Sequence, residues 1–62
     1  EKQTEVKLYS EGPIVRKIQK ALGLKVDGIF GRGTEKAVKE FQKNNGLAAD
    51  GVVGPDTWKK IV

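Results

Sequence analysis

The sequence predicts an all-α fold: a compact three-helix bundle with an internal 23-residue repeat, its helices joined by Asp-Gly loops. Three observations predict it. The stretch Val26-Asp27-Gly28-Ile29-Phe30-Gly31-Arg32-Gly33-Thr34 returns 23 residues later as Ala49-Asp50-Gly51-Val52-Val53-Gly54-Pro55-Asp56-Thr57. Residues 15–37 match residues 38–60 at 10 of 23 positions: Val15/Val38, Gln19/Gln42, Lys20/Lys43, Gly23/Gly46, Leu24/Leu47, Asp27/Asp50, Gly28/Gly51, Gly31/Gly54, Thr34/Thr57 and Lys36/Lys59. Self-similarity at a fixed period marks a repeated supersecondary unit. Between these loops, apolar residues recur at helical spacing, and Gly and Pro stand where helices start and stop.

Taken in order, Glu1–Ser10 reads as the end of a linker whose last residues dock on a domain spanning 11–62. Gly12-Pro13 opens the first helix, because Pro at the first helical position has its φ preset and gives up no intrahelical bond. Its apolar stripe is Ile14, Val15, Ile18, Ala21 and Leu22. Gly23 ends it through a left-handed cap, followed by Leu24. Asp27-Gly28 makes a turn in which the carboxylate accepts backbone N–H groups and Gly supplies a positive φ. Gly31 is the N-cap of a second helix, Arg32 to Asn45, with the stripe Thr34, Ala37, Val38, Phe41 and Asn45. Gly46 and Leu47 repeat the cap, and Asp50-Gly51 repeats the turn. Pro55 and Asp56 open a short third helix, both being favoured in a first turn. So short a helix is unstable alone, and Trp58 must hold it to the core, with Ile61 and Val62 on the same face.

A chain of 62 residues is one domain, and at this size only about 60% of the unfolded surface is buried, so stability is marginal. With no Cys and no His, disulfides and the common zinc sites are excluded. The net charge of +4 and pI near 9.6 favour an anionic partner: nucleic acid, acidic lipid or an anionic polymer such as a teichoic acid. No apolar run approaches membrane-spanning length. The chain starts at Glu rather than Met, which suggests a module of a larger protein.

The duplicated Asp-Gly raises calcium first. An EF-hand loop needs oxygen ligands at positions 1, 3 and 5, Gly at 6 and Glu at 12. With Gly28 at position 6 those places hold Gly23, Lys25, Asp27 and Thr34; with Gly51 they hold Gly46, Ala48, Asp50 and Thr57. One carboxylate per loop does not make that site, and neither metal nor cofactor is expected. Asp27 and Asp50 as a glycosidase pair is the weaker alternative to a shared structural role in two identical turns. Without His or Cys there is no nucleophile–base pair of the usual kind. A small basic helical DNA-binding domain is the serious competitor. Against it, helix-turn-helix connections run to about 3–4 residues, and Glu35 and Glu40 interrupt the lysines of the second helix.

The combined pattern resembles a known family. Val15-x-x-Ile18-Gln19-x-x-Leu22-Gly23, then Val26-Asp27-Gly28-Ile29-Phe30-Gly31-x-x-Thr34-x-x-Ala37-Val38-x-x-Phe41-Gln42, then Asn45-Gly46-Leu47-x-x-Asp50-Gly51-x-x-Gly54-Pro55-x-Thr57-Trp58 is similar to the peptidoglycan-binding domain of bacterial cell-wall hydrolases and phage endolysins. The resemblance spans residues 8–62. It implies a non-catalytic, monomeric wall-binding module tethered to a hydrolase such as an amidase, peptidase or muramidase. It also implies an extracellular place at the cell wall, peptidoglycan as partner, and neither nucleic acid nor membrane. A related domain forms the pro-segment of matrix metalloproteinases, whose inhibitory cysteine motif is absent here. Arg32-Gly33 departs from the family's usual Pro and larger residue, and Gly33 costs about 1 kcal/mol relative to Ala inside a helix.

Gln19 and Gln42 are expected to hydrogen-bond loop backbone, as buried amides need partners. Thr34 and Thr57 are expected to cap helices or tie loops. For ligand contact the first loop and its neighbouring face are favoured: Asp27, Ile29, Phe30, Gly31, Arg32 and Thr34, with Asn44, Asn45 and Tyr9. The Gly-rich helix start can bind a carboxylate or lactyl oxygen through backbone N–H groups. Arg32 can clamp a carboxylate, and the asparagines suit sugar hydroxyls and acetamido groups. Phe30 is weighed as core as well as contact. The copies differ at Phe30/Val53, Arg32/Pro55 and Ala21-Leu22/Asn44-Asn45, where specificity is expected to arise.

Overall fold

The computed structural model describes residues 5–61. It has three helices: α1 (Pro13–Ala21), α2 (Arg32–Asn44) and α3 (Pro55–Ile61). The described residues form no strand, only two isolated antiparallel bridges, Val6–Val53 and Glu11–Ile29.

The expected helix ends are present. Both α1 and α2 finish in the same six-residue cap. The Leu24 N–H bonds the Gln19 carbonyl at 2.8 Å and the Gly23 N–H bonds that of Lys20 at 3.2 Å. In the second copy, Leu47 bonds Gln42 at 2.8 Å and Gly46 bonds Lys43 at 3.2 Å. Gly23 and Gly46 sit at φ +74° and +72°, the left-handed conformation that a side chain disfavours. Pro13 and Pro55 open their helices. The α2 helix ends at Asn44, with Asn45 as the capping residue and its Nδ2 donating to the Phe41 carbonyl at 2.8 Å.

The core is Val6, Val15, Ile18, Phe30, Val38, Val53 and Trp58, with Leu22 and Ile61 packed against it. Trp58 anchors α3, as expected of so short a helix. Several stripe residues face elsewhere. Ile14 and Ala21 are exposed, and Ala37 and Phe41 are half-buried. Asn45 is exposed while Gln42 is sealed. Helices α1 and α2 each bury a narrow band, Val15, Ile18 and Gln19 in one and Thr34, Val38 and Gln42 in the other, rather than a broad stripe. Val62 lies outside the described residues.

The segment before α1 does more than dock its last residues. Val6 is fully buried and exchanges both backbone bonds with Val53, at 3.2 and 2.8 Å. The Tyr9 N–H bonds the Phe30 carbonyl at 2.7 Å and the Phe30 N–H bonds the Ser10 carbonyl at 2.8 Å. Phe30 and Val53 are the same position of the repeat. Residues 6–10 therefore stitch the two loops together and give the otherwise unpaired backbone of each a partner.

Candidate functional site

Each loop is built around one buried glutamine. Gln19 projects from α1 into the α1–α2 loop, 1% exposed. Its Nε2 reaches Asp27 Oδ1 at 2.8 Å, the Ile29 carbonyl at 3.0 Å and Thr34 Oγ1 at 3.2 Å. Its Oε1 accepts the backbone N–H groups of Asp27 at 3.1 Å and Gly28 at 2.9 Å. The two backbone donors fix which end of the amide faces the turn, because a flipped group would set donor against donor. Gln42 repeats this around the α2–α3 loop. Its Nε2 reaches Asp50 Oδ1 at 3.0 Å, the Val52 carbonyl at 2.9 Å and Thr57 Oγ1 at 3.1 Å, and its Oε1 accepts from Gly51 at 3.0 Å. The expected contacts to loop backbone are thus joined by side-chain bonds to the Asp and Thr of each repeat.

The aspartates close their own turns. Asp27 Oδ1 accepts the Ile29 N–H, and Asp50 Oδ1 the Val52 N–H, each at 3.0 Å. These bonds favour the charged form. The Ile29 N–H, then the Gln19 amide, hold the Asp27 carboxyl below its ordinary value, and the Val52 N–H does the same for Asp50. Equal geometry at both turns assigns both carboxylates to the fold. The described residues contain no metal-competent cluster of three acidic, His or Cys side chains.

Beside each loop lies a cleft. The first, of about 310 Å³, is lined by Gln19, Leu24, Lys25, Asp27, Ile29, Gly31, Gly33 and Thr34. The second, of about 220 Å³, includes the residue 23 positions on from every one of these, and adds Glu5 and Pro55. The repeat has therefore made one concavity twice. Their charges differ. Lys25 in the first is replaced by Ala48 in the second, and Gly33 by Asp56.

Four of the expected contact residues, Asp27, Ile29, Gly31 and Thr34, line the first cleft. Arg32 is exposed between Gly31 and Gly33 at the start of α2. Ile29 is half exposed, an apolar side chain open to solvent. Gly31 caps α2 without any side-chain bond, so the first-turn N–H groups of the helix keep their capacity for an outside acceptor. Phe30 is corrected: at 0% exposure it is core and cannot touch a ligand, because residues 9 and 10 cover its backbone and fix it inward. Asn44, Asn45 and Tyr9 are exposed but line neither cleft, and the Asn45 amide is engaged in ending α2. Trp58 is 4% exposed and unavailable for stacking on a sugar face. Lys25 and Gly33 line the cleft without having been expected there. The copy-against-copy comparison held the signal, since Lys25/Ala48 and Gly33/Asp56 are among the differences.

The helix connections also separate this fold from a helix-turn-helix. Both run from a glycine-capped helix end through an Asp-Gly turn to a glycine N-cap, far beyond a turn of about 3–4 residues.

Comparison with known proteins agrees with this architecture. No curated protein sequence matches the chain. Among solved structures, an endolysin of Burkholderia phage AP3 superposes with a TM-score of 0.90 at 36% identity, over 94% of this chain and 24% of that one. A peptidoglycan-binding protein from Clostridioides difficile, crystallised with glutamine hydroxamate, gives a TM-score of 0.91 at 36% identity, over 94% of this chain and 40% of that one. The chain thus spans well under half the length of either. The family model of the peptidoglycan binding domain matches residues 11–61. The chain belongs to the peptidoglycan-binding domain family and is a non-catalytic module whose partner is peptidoglycan.

Proposed function

We propose that the first cleft is where this module meets the wall, and that it recognises the stem peptide through a carboxylate or lactyl oxygen. The observation that carries this is the uncapped start of α2 opening beside the cleft, with Lys25 on its wall and Arg32 next to it. A helix N-terminus offers N–H donors and a favourable dipole to an anion, and Arg can add a bidentate contact. Ile29 gives the ligand's aliphatic part a surface. The second cleft has Ala48 and Asp56 at the corresponding places, so an anion is favoured only in the first.

The module works as a monomer, secreted or phage-released, tethered to a hydrolase that cuts the wall. Tethering raises the local concentration of the catalytic domain at an insoluble substrate, and avidity comes from repeated weak contacts along the polymer. Co-sedimentation with purified peptidoglycan, competed by soluble muropeptides, tests the site. Fragments with free stem-peptide carboxylates should compete, and glycan fragments without peptide should not. Competition by glycan alone would refute stem-peptide recognition.

A further inference from the structure

The excess positive charge of this chain falls in one stretch of the sequence. Residues 12–26 carry Arg16, Lys17, Lys20 and Lys25 and no acidic residue, and the remaining eight basic and eight acidic residues cancel. The whole net charge of +4 therefore belongs to α1 and the turn after it. In the structure, Arg16, Lys17 and Lys20 surround a shallow depression of about 430 Å³ whose other lining residues are Pro13, Ile14 and Val26. Ile14 and Val26 are 40% and 48% exposed, so the floor is aliphatic and the rim cationic. Arg16 leans over Gly28, with its Nε only 3.1 Å from where a Cβ on that glycine would stand. This depression shares no residue with the first cleft.

We propose that this α1 face docks a linear wall polyanion in which phosphodiesters alternate with short polyol units, of the teichoic-acid class. The phosphates are matched by cations one helical turn apart, and the CH and CH₂ groups between them by Ile14 and Val26. Two features of the face argue against other polyanions. None of its lining residues is aromatic, so nucleobases have no stacking platform. Two aliphatic side chains are too few to hold an acyl-chain boundary, where membrane-surface helices present a continuous apolar face. The inference rests on the wall-binding reading, which brings such polymers within reach, but uses a different surface. It makes the module a two-point reader, holding peptide at one site and the anionic polymer at another.

The test uses the 62-residue chain and its Lys17→Glu/Lys20→Glu variant, both residues being exposed, with thermal melting as the folding control. Each is measured against peptidoglycan stripped of phosphate polymer, against isolated poly(glycerol phosphate), against a DNA duplex and against anionic lipid vesicles. The native chain should bind both wall materials. The variant should keep its binding to stripped peptidoglycan and lose about tenfold or more on the polymer. The polymer arm should weaken with salt at a log–log slope near −2, from about 0.7 per phosphate over the three cations of the depression. An Ile14→Ser/Val26→Ser variant should also weaken the polymer arm alone. Native and charge-reversed chains binding the polymer equally, or the native chain binding DNA or vesicles as tightly as the polymer, overturns the proposal. Loss of the stripped-peptidoglycan arm in the native chain would instead overturn the wall-binding reading, so the two failures are distinguishable.

Discussion

Gln19 and Asp27 bind each other twice. The Gln19 Nε2 donates to Asp27 Oδ1 at 2.8 Å, and the Asp27 backbone N–H donates to Gln19 Oε1 at 3.1 Å. Their counterparts share only the first of these bonds, since the Asp50 N–H turns instead to the Ala48 carbonyl at 3.0 Å. The first loop is thereby the more tightly latched of two otherwise equal copies. It is also the one whose cleft carries Lys25 and the uncapped helix start.

Replacing Gln19 by Leu leaves the Gly28 N–H and Thr34 Oγ1, both in buried residues, without a partner. Each such loss costs about 1–3 kcal/mol, so a penalty of about 3 kcal/mol is expected. In a domain this small that lowers Tm by about 12–24 °C. Gln42→Leu should cost about 1 kcal/mol less, one hydrogen bond fewer. Calorimetric melting of both variants checks the order, and an equal or reversed order would show that the extra bond adds nothing.

Two glycine-to-alanine substitutions should act in opposite directions. Gly28 sits at φ +79°, where a Cβ costs about 1–2 kcal/mol and would also push on Arg16. Gly33 is helical, and a Cβ there meets nothing within 4 Å, so Ala should stabilise by about 0.5–1 kcal/mol. Urea unfolding measures both. Gly33→Ala also sets a methyl in the wall of the first cleft, so a variant that melts higher should nonetheless hold peptidoglycan less well.

Residues 5–10 belong to the folded unit. Val6→Ala removes two methyl groups from a sealed position, and about 2 kcal/mol is expected from transfer plus cavity. A chain beginning at residue 11 loses Val6 and the bonds to Val53 and Phe30 together, and should not show a cooperative melt. A sharp transition in that truncated chain would return the segment to the status of a linker.

The two turn carboxylates make the fold acid-sensitive. Their pKa values are lowered on folding from the ordinary 3.8. The stability they contribute is complete above the unfolded-state value and is lost as pH falls through the lower folded-state one. Melting should be independent of these groups near neutrality and fall below about pH 4. In NMR titrations, the Asp27 and Asp50 carboxyl carbons should both show midpoints below 3.8. Replacing Gln19 by Leu should raise the Asp27 midpoint and leave that of Asp50 in place.

Much of this was legible in the residues themselves. The caps at Gly23-Leu24 and Gly46-Leu47, the Asp-Gly turns and the place of Gln19 and Gln42 beside them follow from local backbone chemistry, which spacing records faithfully. Tertiary contacts were harder. Val6 looks like one apolar residue in a polar linker, and only its pairing with Val53 makes it core. Ile14 and Ala21 fit the helical period of α1, yet both stay exposed because no described element covers that side of the helix. Phe30 stands in the loop that forms the cleft, but strand-like alternation turns it inward while Ile29 turns out. Lys25 is not marked by any motif, because its place in the cleft depends on the fold bringing residues 24–34 around a single concavity.

The most direct test of the central claim is co-sedimentation of the native chain and of a Lys25→Ala/Arg32→Ala variant with purified peptidoglycan free of anionic polymer. Both residues are exposed and the variant should melt like the native chain. The account predicts that the native chain pellets with the wall and the folded variant stays largely in the supernatant, about tenfold weaker or more from two lost charge-assisted contacts. Undiminished pelleting of the folded variant would contradict it and move the binding site away from the first cleft.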